Sequence, residues 1–65
     1  MTSLEKSQKI LEIRQKTGLS QAQLADKFGI PKHSLINWER NRREVPDYVL
    51  NMMITILQYE GLIKN

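Results

Sequence analysis

The sequence predicts an all-α fold of four helices in one compact domain, and three observations carry this prediction. Apolar residues recur at intervals of three and four in four separate stretches, as they do on one side of an α-helix. No stretch shows the strict alternation of apolar and polar residues that is typical of a half-buried strand. With 65 residues, of which 40% are hydrophobic, the chain has room for one small core, so we expect residues 1–65 to form a single domain.

Capping residues and glycines set the predicted bounds of the four helices. Thr2 or Ser3 can cap the first helix and Ser20 the second, because a hydroxyl accepts a hydrogen bond from an unpaired N–H group of the first turn. Gly18 and Gly61 suit the positions that follow the first and fourth helices. The helices are predicted to run over about Ser3–Lys16, Gln21–Phe28, Pro31 or Lys32 to Arg40, and Pro46 or Asp47 to Glu60.

The second and third helices are predicted to be short and joined by a tight turn. Gly29 can adopt positive φ at the end of one helix, and Pro31 can open the next, where a missing N–H costs nothing. Leu35 and Trp38 are expected to face inward, and Asn41 is expected to end the third helix in the left-handed conformation. The opposite side of the third helix is basic and amide-bearing, and comprises Lys32, His33, Ile36, Asn37 and Arg40.

The basic charge of the chain is concentrated in one segment. The formal net charge is +3, and residues 32–43 contain four basic residues against one acidic residue, Glu39. This segment alone therefore accounts for the net charge. A basic surface of this kind is compatible with binding to nucleic acid.

Composition argues against catalysis, metal binding and membrane insertion. The chain has one histidine and no cysteine, and its three glycines are isolated, so it lacks a thiol site, a cysteine-based zinc site and a glycine-rich phosphate loop. We therefore expect no enzyme activity, no metal and no cofactor. The polar first residues do not resemble a secretory signal, and no apolar run is long enough to span a membrane. The expected location is the cytoplasm.

The fourth helix carries more apolar surface than one small core normally buries. We expect its core face to pack on the first three helices through Val49, Met52, Met53 and Ile56, with Tyr48 and Tyr59 on the same broad face. A second apolar stripe would then lack cover within one copy and is predicted to form a homodimer interface: Leu50, Ile54 and Leu57. The alternative is that the first helix covers this stripe through Leu4 and Leu11.

Arg14 lies among the apolar residues of the first helix. An arginine in such a place either extends to solvent or meets a carboxylate, and the helical wheel leaves both open.

A run of residues through the second and third helices resembles the helix-turn-helix of the phage Cro/repressor family, the XRE-type DNA-binding domain. The residues that carry this resemblance are Gln21, Ala25, Gly29, Ile30, Leu35, Trp38 and Glu39. Arg14, Gly18 and Pro46 are also in step with the family, and the correspondence is gapless from about Ile10 to Ile56. The match thus covers most of the chain and is more specific than the bare motif.

The resemblance implies roles for individual residues. Arg14 and Glu39 match a partly buried ion pair between the first helix and the end of the third. The positions that reach base edges in the major groove are matched by Lys32, His33 and Asn37, and Ile36 beside them can touch a thymine methyl group. Phosphate contacts are expected from Gln21, Ser34, Arg40, Asn41, Arg42 and Arg43.

The sequence departs from the family at three points. Pro31 replaces the usual Ser or Thr before the recognition helix. Glu44 and Asp47 are acidic where several relatives carry basic residues. The common fifth helix is replaced by a lengthened fourth helix.

These observations predict a sequence-specific regulator of transcription that binds double-stranded DNA. By the resemblance, a bacterial or phage-encoded homodimer would bind a palindromic operator and act as a repressor or as an antitoxin-type autoregulator, with a toxin as a possible protein partner. The alternative is a protein-interaction module that retains the fold but not DNA binding.

Overall fold

The computed structural model describes residues 1–64, and within that range it contains four α-helices and no strand. Each helix agrees with its predicted bounds to within one or two residues, which confirms the all-α fold. None of the four is long and apolar enough to cross a membrane. In chain order they are α1 (Ser3–Thr17), α2 (Gln21–Phe28), α3 (Lys32–Glu39) and α4 (Asp47–Tyr59).

Local hydrogen bonds explain where α1 and α2 begin. The Thr2 hydroxyl accepts a hydrogen bond from the Glu5 backbone N–H, and the Glu5 carboxylate accepts one from the Thr2 backbone N–H. Ser20 and Gln23 make the same reciprocal pair at the start of α2. Each arrangement is a capping box, which satisfies two otherwise unpaired N–H groups and fixes the first turn. Hydrogen bonding to the Glu5 carboxyl, first from the Thr2 backbone N–H and then from the Thr2 side chain, lowers the pKa of that carboxyl below its ordinary value.

The turns that follow α2 and α3 need a left-handed residue. Gly29 has φ 66°, and this conformation lets the Ile30 N–H donate to the Ala25 carbonyl at 2.9 Å. Asn41 has φ 58° and occupies the corresponding place after α3, as predicted. Asparagine adopts this conformation more readily than most residues with a Cβ.

The helices enclose one core, to which every helix contributes. α2 packs against α3, and α1 packs across both α3 and α4. The ten buried apolar residues are Ile10, Ile13, Leu24, Ala25, Leu35, Val45, Leu50, Met53, Leu57 and Ile63.

The predicted orientation of α4 is wrong in part: Val49 packs against the core as expected, but Tyr48 and Tyr59 are exposed. Met53 is buried as expected, but Met52 is 41% exposed, so it does not belong to the core face.

Leu50 and Leu57, predicted to lie on a dimer interface, are buried in the core of one copy, and Ile54 packs against that core. The expectation that this stripe lacks cover is therefore incorrect.

The end of the chain explains part of this difference. Gly61 has φ 75°, and the chain turns back so that the Leu62 and Ile63 N–H groups both meet the Leu57 carbonyl. This turn buries Ile63 in the same core cluster as Leu57. Cover for the stripe also comes from Ile10 and Ile13 of that cluster, whereas the Leu4 of the alternative prediction is exposed.

Candidate nucleic-acid interface

The interface is built on the α2–turn–α3 unit. Leu24 and Ala25 of α2 and Leu35 of α3 are buried, and Trp38 packs against the same core. Ala25 is small, so its side chain lets the two helices approach closely. The buried side of α3 is thereby fixed, and its other side faces outward.

The ion pair that the resemblance implied is present, and it holds the end of α3 to α1. Arg14 donates through Nε to Glu39 Oε2 at 2.6 Å and through Nη2 to Glu39 Oε1 at 3.1 Å. Its Nη1 donates to the Leu19 carbonyl at 3.2 Å, and the Gln21 amide donates to Glu39 Oε1 at 3.0 Å. The Glu39 side chain is only 5% exposed, so a single buried carboxylate joins α1, α2 and α3.

The predicted base-contacting residues share the outer side of α3. Lys32 and His33 are exposed, whereas Ile36 and Asn37 are partly buried. Pro31 precedes α3 as its N-cap with φ −59° and makes no side-chain capping bond. The Pro31 carbonyl instead accepts from the Ser34 N–H at 3.0 Å, which closes the first turn without the Ser or Thr that the family usually has there.

The predicted phosphate-contacting residues fall into two groups. Arg40, Arg42 and Arg43 are exposed after α3, in the segment that leads to α4. Gln21 and Ser34 are partly buried near the helix starts, and the Gln21 amide already donates one hydrogen bond to Glu39. The Asn41 side-chain oxygen also has a partner, because it accepts from the Ser3 hydroxyl at 2.6 Å.

Lys6 is a residue whose role sequence reasoning missed. Its side chain is 8% exposed, and its ammonium group lies 2.6 Å from the Asp47 carboxylate and 3.2 Å from that of Glu44. The Asp47 carboxylate raises the pKa of Lys6, and the Lys6 ammonium lowers the pKa of Asp47. Glu44 and Asp47 are the acidic departures from the family pattern, and both are matched by this lysine of α1.

Two serines of α1 reinforce this attachment. The Ser3 hydroxyl donates to Asn41, as above, and the Ser7 hydroxyl donates to the Glu39 backbone carbonyl at 2.8 Å. Together with Lys6 they form one face of the first turns of α1, which we call the α1 brace. The brace holds the segment from Glu39 to Asp47, which carries the exposed arginines.

Comparison with known proteins identifies the family. A family model described as a helix-turn-helix domain matches residues 7–65, which is nearly the whole chain. Comparisons with curated proteins and with solved structures gave no significant match. The matched family is of the XRE type, binds DNA and is typically not enzymatic. The four-helix chain therefore belongs to the XRE-type helix-turn-helix domain family.

Proposed function

We propose that this protein is a sequence-specific regulator of transcription that binds a palindromic operator in double-stranded DNA as a homodimer. In this proposal α3 enters the major groove, and the segment after it follows the phosphate backbone. The regulator acts as a repressor or as an antitoxin-type autoregulator, by occupying its operator.

The observation that carries this proposal is a cluster of cations without opposing carboxylates. Within residues 1–64 none of the four basic side chains of segment 32–43 forms an ion pair. The acidic residue of that segment, Glu39, is turned inside and held by Arg14. The next two carboxylates are matched by Lys6. The cations concerned are Lys32, Arg40, Arg42 and Arg43.

Residue chemistry supports the division of roles on this surface. Asn37 can bond an adenine edge with two hydrogen bonds, Lys32 suits the O6 and N7 acceptors of guanine, and Ile36 can contact a thymine methyl group. The arginines suit phosphate oxygens, which fix the position of a protein on DNA without reading its sequence.

The alternative function is a protein-interaction module that has kept the fold and lost DNA binding. The exposed tyrosines Tyr48 and Tyr59 of α4 favour a protein partner, such as the toxin of an antitoxin-type regulator. The basic surface after α3 favours DNA.

A salt titration of binding to mixed-sequence duplex DNA tests the proposal. If the four cations contact phosphates, the logarithm of the binding constant should fall against the logarithm of the salt concentration with a slope of about −3 to −4 per copy. Anisotropy of a labelled duplex measures this slope. Binding that is absent at low salt, or that does not change with salt, would support the interaction module instead.

A further inference from the structure

One side of α4 carries two tyrosines and a methionine and faces away from the core. Tyr48, Met52, Thr55 and Tyr59 are all exposed, and we call these four residues the outer stripe. Tyr48 is 75% exposed and Tyr59 is 92% exposed. Their spacing of four, three and four residues places them in a narrow band along the helix, opposite the buried Leu50, Met53 and Leu57. The core of one copy therefore cannot cover them.

We infer that the outer stripe is the contact between two copies of this chain, with the two α4 helices packed antiparallel. This inference rests on the proposed function, because it supplies the dimer that reading a palindrome requires. It also replaces the predicted interface of Leu50, Ile54 and Leu57, which the fold buries.

The order of residues in the stripe fits a two-fold axis. Tyr48 and Tyr59 lie equally far from the midpoint of the outer stripe, which falls between Met53 and Ile54, and Met52 and Thr55 also lie equally far from it. In an antiparallel pair centred there, Tyr48 of each copy meets Tyr59 of the other. In a two-fold contact each residue of one copy meets its counterpart in both directions, and here the two ends of the stripe each join a tyrosine to a tyrosine.

The charged residues that flank the stripe already have ion-pair partners within each copy. Antiparallel packing brings Asp47 of one copy towards Glu60 of the other, and these like charges would repel if both were unpaired. Asp47 is bound by Lys6 at 2.6 Å, and Glu60 is bound by Lys27 at 2.6 Å. The stripe itself contains no charged residue, so a second copy meets no net charge there.

The exposed area indicates a weak dimer. With about 200 Å² for a whole aromatic side chain, the two tyrosines and Met52 offer roughly 400 Å² per copy. A standard interface buries about 800 Å² per partner, so the pair should form reversibly and be completed when both copies lie on one operator.

Sedimentation equilibrium without DNA tests the contact. We expect the protein to self-associate as its concentration is raised to about 1 mM, because dimers with a small interface form at concentrations in this range. Tyr59→Glu places a charge in the contact and should weaken association at least about tenfold, since a buried unpaired charge is costly. Gln8→Glu, which makes the same change of charge on the exposed side of α1, should associate like the parent. A parent that stays monomeric throughout, or a Tyr59→Glu variant that associates equally, overturns the inference.

Disulfide trapping tests the antiparallel direction, since the chain has no cysteine of its own. Tyr48→Cys and Tyr59→Cys proteins are mixed in equal amounts and oxidised in a glutathione buffer. In an antiparallel pair, like positions lie about 16 Å apart along the helix, too far for a disulfide. If the two proteins paired at random, half of the disulfide-linked products would join position 48 to position 59. An antiparallel contact should raise this fraction above one half. Products joining like positions would show a parallel contact and overturn the arrangement.

Neither the sedimentation nor the disulfide experiment uses DNA. If they show no contact through α4, the DNA-binding proposal is unaffected. Conversely, a dimer that does not bind duplex DNA would leave the α4 contact standing and remove the proposed function. On a full operator, Tyr59→Glu should keep half-site affinity and lose the advantage of the full site.

Discussion

Glu39 ends α3 with a carboxylate that the fold turns inward, where Arg14 and Gln21 bind it. The arrangement does two things at once. It anchors the last turn of α3 to α1 and α2, and it keeps a negative charge away from the surface that carries Arg40, Arg42 and Arg43. One ion pair thus serves both the stability of the fold and the proposed contact with phosphates.

Removing one partner of this pair should be costly. Arg14→Met leaves Glu39 buried without its cation, and we expect a decrease of about 3–5 kcal/mol in the free energy of unfolding. Arg14→Met combined with Glu39→Leu should recover much of that decrease, because the stranded charge is gone. Thermal and urea unfolding measure both variants. Lys16→Met, which breaks an exposed pair with Glu12 on α1, is the matched control and should change stability little.

If the single and double variants of the Arg14–Glu39 pair show additive decreases in stability, the two residues do not interact in solution. The pair would then neither anchor the end of α3 nor hold the Glu39 charge away from the exposed arginines.

The outer side of α3 gives a second prediction at the residue scale. Lys32→Ala, His33→Ala and Asn37→Ala should each leave the helical signal in circular dichroism unchanged. Each should weaken binding to the preferred operator by roughly 1–3 kcal/mol and relax the choice of base at one position. Competition titrations against operators with single base changes measure this. Gln8→Ala, on the exposed side of α1, is the control and should bind like the parent. If the three α3 variants also bind like the parent, the outer side of α3 does not contact bases.

At the scale of elements, the α1 brace fixes the segment between α3 and α4. The Lys6 ammonium brings the Asp47 and Glu44 carboxylates together, and the Ser7 hydroxyl holds the Glu39 carbonyl. A segment with three anchors on α1 has less freedom to lose when it binds a phosphate backbone.

The brace predicts a pH dependence of stability. Because Lys6 lowers the pKa of Asp47, the pair stabilises the fold fully at pH values above the ordinary Asp pKa of about 3.9, and this stability is lost as the pH falls from there through the lowered pKa of Asp47 in the folded protein. Asp47→Asn should therefore lower the unfolding temperature at neutral pH, and the difference from the parent should shrink as the pH falls below about 3.9. Melts of the parent and Asp47→Asn across this range measure the effect, with Lys6→Arg as a control that keeps the pair. A constant difference at every pH would contradict the pairing.

The arginines of the braced segment should contribute charge and not sequence preference. Arg42→Ala and Arg43→Ala should each weaken binding to operator and random duplex alike. Each should also make the salt slope shallower by about one unit, since each removes one bond to a phosphate. Lys9→Ala removes a cation from α1, outside this segment, and should leave the slope as it is. If Arg42→Ala and Arg43→Ala also leave the salt slope unchanged, these arginines do not contact DNA.

The elements were predictable to the extent that their signals are local. The helix bounds depend on Thr2, Ser20 and Gly29, whose effects act within a few residues, and a Thr-x-x-Glu or Ser-x-x-Gln pattern at each start could have predicted the capping boxes too. The buried side of α4 was not predictable in this way. Its apolar residues surround the helix, so only the packing of α1 and Ile63 selects which side is buried.

The site shows the same division between local and long-range information. The outer residues of α3 followed from helical spacing and the motif. The bonds of Lys6 to Glu44 and Asp47 join residues 38 or more positions apart, and no pattern in the sequence marks them. The acidic residues that departed from the family pattern are explained only once α1 is seen beside them.

At the scale of the whole molecule, each helix gives one side to a small core, and the outer sides of α3 and α4 differ in chemistry. The outer side of α3, with its cations, suits DNA, and the outer stripe of α4, with its tyrosines, suits a second copy. A dimer made through α4 would present two copies of α3 to one duplex. Two half-sites separated by about one DNA turn of 34 Å, or a multiple of it, are therefore expected.

The measurement that tests sequence-specific DNA binding most directly is selection of bound sites from a pool of random duplex DNA. We expect enrichment of one sequence with two inverted half-sites, and enrichment of the same sequence with a relaxed base at one position of each half-site when Asn37→Ala replaces the parent protein. A pool that stays random through repeated rounds would show that the protein does not read DNA sequence and would contradict the proposed function.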